Sequence, residues 1–89
     1  MKSLTRYRLF SAGSFERDFR KLSLESRRRA DREIRQLQDN PYLGKSLHGD
    51  LKGRYSLRIG DCRVIYAVDE EAKTITLIAV GHRKKIYEP

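Results

Sequence analysis

The segment 54–68 leaves the chain few ways to fold. Arg54-Tyr55-Ser56-Leu57-Arg58-Ile59 alternates polar and apolar residues, the period of a strand with one buried face. Gly60-Asp61 follows, a two-residue hairpin signal of the Gly-X kind, and Cys62–Val68 is a second, largely apolar run. With only two residues in the loop, the register is fixed. Ile59 stands opposite Cys62, Arg58 opposite Arg63, Leu57 opposite Val64 and Tyr55 opposite Tyr66. Opposed residues share a face. Tyr55, Leu57 and Ile59 therefore turn to the core, and Arg54, Ser56 and Arg58 turn away from it together with Arg63.

Around this hairpin the other elements fall into order. Asp69–Lys73 turns the chain, and Thr74–His82 is a third strand rich in Thr, Ile, Leu and Val. Near-continuous apolar runs in the last two strands mark central strands with both faces partly covered. Upstream, Tyr7–Phe10 reads as a short first strand. Ala12-Gly13-Ser14 breaks it, and Ser14 is the expected N-cap of a helix with Glu16 and Asp18 in its first turn. Phe15, Phe19 and Leu22 form its apolar stripe. Ser23 caps a second helix running to about Asp39, with Ala30, Ile34 and Leu37 on one side and Asn40-Pro41 as its stop. Gly44–Gly53 reads as a glycine-containing connection. The expected class is α+β: an N-terminal strand, an α-hairpin, then a three-stranded antiparallel meander (βααβββ). The helices pack on one face of a sheet of about four strands. A chain of 89 residues is too short for two separate cores, so residues 1–89 are expected to form a single domain.

Composition narrows the classes of function. The longest apolar runs, Val64–Val68 and Leu77–Val80, are far short of the roughly 20 residues of a membrane span. The N-terminal residues lack the apolar core of a secretion signal, so a cytoplasmic location is expected. One cysteine, Cys62, allows no internal disulfide and no multi-cysteine zinc site, and its apolar setting predicts a buried thiol. A formal net charge of +8 points to a polyanionic partner, although a merely soluble basic surface would give the same number.

Chemistry concentrates in two places. Like charges opposed across a sheet normally destabilise it, so Arg58 beside Arg63 suggests an anion held between two planar guanidinium forks. The plainer alternative is that both splay into solvent or pair with acids. Gly81-His82-Arg83-Lys84-Lys85-Ile86-Tyr87 adds three cations, a histidine and a phenol. Cations near a phenol favour its ionised form, and such a tyrosine could help deprotonate a ribose 2′-hydroxyl while arginines stabilise charge on the phosphate. Alternatively this segment is a basic tail, or Ile86 and Tyr87 pack at an edge. Arg27, Arg28, Arg29, Arg32 and Arg35 read as a solvated helix face, with Asp31 reaching Arg27 and Arg35, and Glu33 reaching Arg29. Asp69-Glu70-Glu71 reads as a turn. His48 and His82 have no carboxylate spacing that would make a metal site, and neither a metal nor a cofactor is expected.

The hairpin Gly60-Asp61-Cys62-Arg63-Val64-Ile65-Tyr66, preceded by Leu47–Ile59 and followed by Gly81-His82-Arg83 and Tyr87, closely resembles the RelE/ParE superfamily of toxins from prokaryotic toxin–antitoxin systems. The similarity covers nearly the whole chain and is strongest to the RelE-like branch. It implies a ribosome-dependent, metal-independent endoribonuclease that cuts mRNA in the decoding site and so inhibits translation. It also implies a cognate RelB-like antitoxin, and neither a membrane nor a small-molecule substrate. By this resemblance Arg63 stabilises the transition state, Arg83 helps the leaving oxygen and Tyr87 helps activate the 2′-hydroxyl. Arg58, Lys52, Arg54, His82, Lys84 and Lys85 are the expected RNA-binding residues. Three departures stand out: Ser56 replaces a frequent basic residue, Cys62 a usual aromatic, and Lys84-Lys85 a frequent acid. The alternatives are a ParE-like inhibitor of DNA gyrase without nuclease activity, and a catalytically weak family member.

Overall fold

The hairpin forms the centre of a five-stranded sheet. The computed structural model describes residues 6–49 and 53–82. Its elements are β1 (Arg8–Ser11), α1 (Gly13–Arg20), α2 (Leu24–Arg35) continued by a 3₁₀ turn (Gln36–Gln38), β2 (Lys45–Ser46), β3 (Arg54–Ile59), β4 (Cys62–Asp69) and β5 (Thr74–His82). The strand order is β1-β5-β4-β3-β2. Pairing of β3 with β4 follows the register set by the two-residue loop, from Ile59 opposite Cys62 to Arg54 opposite Ala67. Gly60 takes φ +59°, a conformation that favours glycine in this tight turn, and the Arg29 guanidinium of α2 lies over it.

Three features differ from the sequence reading. First, β1 does not simply precede an antiparallel sheet: it runs parallel to β5, with Arg8 opposite Thr74 and Ser11 opposite Leu77. Alternation within a four-residue strand tells which face is buried, not which edge it joins or in which direction. Second, the connection after α2 contains β2, antiparallel to β3, with Lys45 opposite Ser56 and Ser46 opposite Tyr55. Two residues are too few to show a period. Third, Ser14 is not the cap of α1. The cap position is Ala12, whose side chain makes no capping bond, and the Ser14 hydroxyl donates to the Ile78 carbonyl at 2.6 Å. Ile78 is the extra residue where the β4–β5 register shifts, since Ile65 pairs with Ala79 and Tyr66 with Leu77. A bulge takes its extra residue out of the regular ladder, and Ser14 supplies that carbonyl with a donor. Ser23 does cap α2, its hydroxyl accepting the Ser26 N–H at 3.1 Å.

Both helices lie on one face of the sheet. Phe15 of α1, Ala30 and Ile34 of α2 and Leu37 of the 3₁₀ turn pack on Leu57, Ile59, Val64, Tyr66, Ile75, Leu77 and Val80. Leu37, Val64, Tyr66 and Ile75 are fully buried, each contributing about 1.5–3 kcal/mol of apolar burial. At one edge, the Tyr7 hydroxyl and the Lys73 ammonium both donate to the Glu70 carboxylate, at 2.7 and 2.9 Å. These bonds tie the entry to β1 to the β4–β5 turn. No helix among the described residues is long and apolar enough to cross a membrane.

Candidate functional site

The face of the sheet turned away from the helices carries the charge. Arg58 and Arg63 stand directly opposite each other on β3 and β4. Arg63 is partly buried, and its Nη1 donates to the Ser56 hydroxyl at 2.8 Å. Ser56 is only 3% exposed although it points away from the helices. Ile65, beside it on β4, is 6% exposed. The apolar run of β4 thus reflects burial on both faces, as expected of a central strand. The bond to a buried hydroxyl restrains the guanidinium more than solvent would.

Lys45 enters from the third strand. It pairs with Ser56, so the row across the sheet reads Lys45, Ser56, Ile65, with the arginine pair in the next row of the same face. Lys45, Arg58 and Arg63 line one cleft of about 410 Å³, floored by Gly44, Ser56 and Leu57. Gly44 sets the approach of β2. An added Cβ there would meet the Tyr66 hydroxyl at 2.7 Å and the Ser56 carbonyl at 2.8 Å. Tyr66 is buried on the helix side, yet its hydroxyl reaches the edge, accepting the Gly44 N–H and donating to the Pro41 carbonyl, both at 2.9 Å. Burial pushes this phenol's pKa up, the Gly44 amide offsetting part of the shift, so the hydroxyl stays a neutral donor. The Tyr66 ring stacks on Tyr55, which Tyr42 meets edge-on, with ring centroids 5.5 and 5.4 Å apart.

The expected site residues divide into three groups. Arg58 and Arg63 are brought together. Arg54 shares their face but lies four residues from Arg58 along β3, roughly 13 Å at the usual strand rise. His82 pairs with Cys62 and so stands on the opposite face from the arginine pair, at the end of β5. Gly81 is the β5 residue opposite Arg63. Lys52, Arg83, Lys84, Lys85 and Tyr87 lie outside the described residues. Lys45 was missed by sequence reasoning because it sits in a glycine-flanked connection with no strand period. Only its pairing with Ser56 reveals it. Elsewhere, Arg35 pairs with Asp31 at 2.9 Å, as the helix spacing predicts, whereas Arg29 lies over Gly60. Among the described residues no group of three His, Cys, Asp or Glu side chains converges as a metal would need.

Residues 11–87 match the family model described as ParE toxin of type II toxin–antitoxin system. The chain belongs to this family. Within the wider RelE/ParE superfamily it is 42% identical over 52 residues to toxin RelE of Mycobacterium tuberculosis, a match covering 57% of this chain and 54% of that protein. That match spans about half the length of the relative. The fold is similar to the toxin–antitoxin complex RelBE2 of Mycobacterium tuberculosis, with a TM-score of 0.81, 29% identity, and 93% of this chain and 98% of the other covered. It is also that of the isolated Escherichia coli RelE toxin, with a TM-score of 0.74 at 19% identity, covering 85% of this chain and 83% of the other. The RelE/ParE toxins thus share the strand, helix pair and mostly antiparallel sheet described above.

Proposed function

We propose that this RelE/ParE toxin is an endoribonuclease that cuts mRNA in the ribosomal decoding site. The observation that carries the reading is the Arg58/Arg63 pair, opposed across two central strands with Arg63 held by the Ser56 hydroxyl. Two like charges opposed on one face favour an anion between them, and a phosphodiester is an anion that planar guanidinium forks grip well. In the reaction the ribose 2′-oxygen forms a bond to the adjacent phosphorus while the bond to the 5′-oxygen breaks. The 2′-hydroxyl proton leaves to a base, and a proton is delivered to the departing oxygen. Cyclic phosphate and a free 5′-hydroxyl result. Arg63 stabilises charge on the pentavalent phosphate, Arg83 assists the leaving oxygen and Tyr87 assists proton removal. Arg58 holds the backbone. Positive charge is supplied by the guanidinium groups, so the step requires no metal.

A RelB-like antitoxin is the proposed partner. The net charge of +8 favours an acidic wrapping segment, and the similar RelBE2 structure is a toxin–antitoxin complex. A second reading, inhibition of DNA gyrase, is favoured by the ParE description of the family model.

The deciding experiment maps cuts in a ribosome-bound mRNA by primer extension, with EDTA present and free mRNA as control. Cuts in the decoding site, absent on free mRNA and with Arg83→Ala, support the nuclease. Intact mRNA together with inhibited gyrase supercoiling selects the second reading.

A further inference from the structure

We infer that Lys45 is a phosphate-binding residue of the RNA site, so that the backbone of a single-stranded RNA runs from the arginine pair across β3 to β2. The inference rests on the RNA reading of the same face and extends it to a strand where no site residue was expected.

Three observations support it. Lys45 is exposed, pairs with Ser56, and lines the same cleft as Arg58 and Arg63. The ammonium is therefore carried on the strand next to the arginine pair, and no carboxylate among the described residues lines that cleft. The placement is also built rather than incidental. The Gly44 N–H bonds to the Tyr66 hydroxyl, and the close approach of Gly44 to the Ser56 carbonyl excludes any side chain at that position. Loop and strand are thereby pinned next to β3, and the lysine follows directly. Finally, the division of labour is chemically sensible. Arg63, restrained by its bond to Ser56, offers a planar fork, whereas a lysine is a flexible point charge that can follow a neighbouring phosphate. Phosphates along a strand recur at intervals that a single guanidinium pair cannot span. A second, adaptable cation sets the direction in which the strand leaves the pair.

The test measures binding of the full chain to a short fluorescein-labelled single-stranded RNA by anisotropy across a salt series, for wild type, Lys45→Ala, Lys45→Arg and Lys21→Ala. Lys21, at the end of α1, removes the same formal charge away from the cleft. Lys45→Ala is expected to weaken binding roughly tenfold at low salt. It should also reduce the slope of log affinity against log salt by about 0.7, the value for one phosphate contact on a single strand. Lys45→Arg should restore both, and Lys21→Ala should change affinity less than about twofold. Equal losses for Lys45→Ala and Lys21→Ala would overturn the inference, as would a wild-type chain that does not bind the RNA at low salt. The cleavage assay separates this from the parent reading. RNA binding that depends on Lys45 without any cleavage leaves the lysine assignment standing and removes the nuclease. Cleavage by a wild type whose binding is indifferent to Lys45 does the reverse.

Discussion

The two faces of the sheet are built on opposite principles. On the helix side, apolar residues from α1, α2 and four of the five strands close over one another, and charge is absent from the packed cluster. On the other side, Lys45, Arg58 and Arg63 gather above a small buried patch of Ser56 and Ile65. The first face is stable because it excludes water. The second gathers like charge on one face, an arrangement suited to an anion. Changes to one face should register as stability and changes to the other as activity.

Leu37→Ala should break the helix face hardest. It is expected to cost about 2–5 kcal/mol in urea unfolding, with the activity of the remaining folded protein unchanged. Arg63→Ala should do the opposite. Cleavage of ribosome-bound mRNA should fall roughly a hundredfold to a thousandfold while the unfolding midpoint moves much less than in Leu37→Ala. A matching loss of stability would show that Arg63 is part of the scaffold. Tyr66→Phe crosses the divide, because its ring belongs to one face and its hydroxyl holds the loop that leads to the other. It should cost about 1–3 kcal/mol and also weaken RNA binding. Loss of stability alone would mean that Lys45 keeps its place without the bond. Ser56→Ala should lower the cleavage rate at saturating substrate by roughly tenfold, and Ser56→Thr, which keeps the hydroxyl, should recover it. Failure of threonine to rescue would show that the hydroxyl does not orient Arg63.

The smallest effect belongs to neither face. Bonds from the Tyr7 hydroxyl and then the Lys73 ammonium hold the Glu70 carboxyl below its ordinary pKa. A lowered carboxyl stabilises the fold above the unfolded value and loses that contribution as pH falls through the folded one. The site is exposed, so the acid limb of a stability–pH profile should change only slightly in Glu70→Gln, by becoming flatter.

Most of the helix face was legible in the sequence, because period 2 and helical spacing both report burial. Arg58 and Arg63 were legible as well, since a two-residue loop fixes which side chains oppose. Lys45 was not, because its place depends on a two-residue strand and on a tyrosine more than twenty residues away. Nor was the role of Ser56. Viewed along the sequence it is a missing cation, but in the fold it is the acceptor that orients one. His82 shows what adjacency in sequence leaves open: it neighbours the basic segment, yet the β4–β5 register places it on the face opposite the arginine pair.

The parallel pairing of β1 with β5 sets a schedule for biogenesis. β1 has no partner, and α1 has no platform, until Thr74–His82 has been synthesised and has cleared the exit tunnel. Contacts of such long sequence separation form late, and an unpaired edge strand stays vulnerable until they do. The five-stranded sheet is therefore completed only after β5 has been made, with β1 as the last strand to find its place.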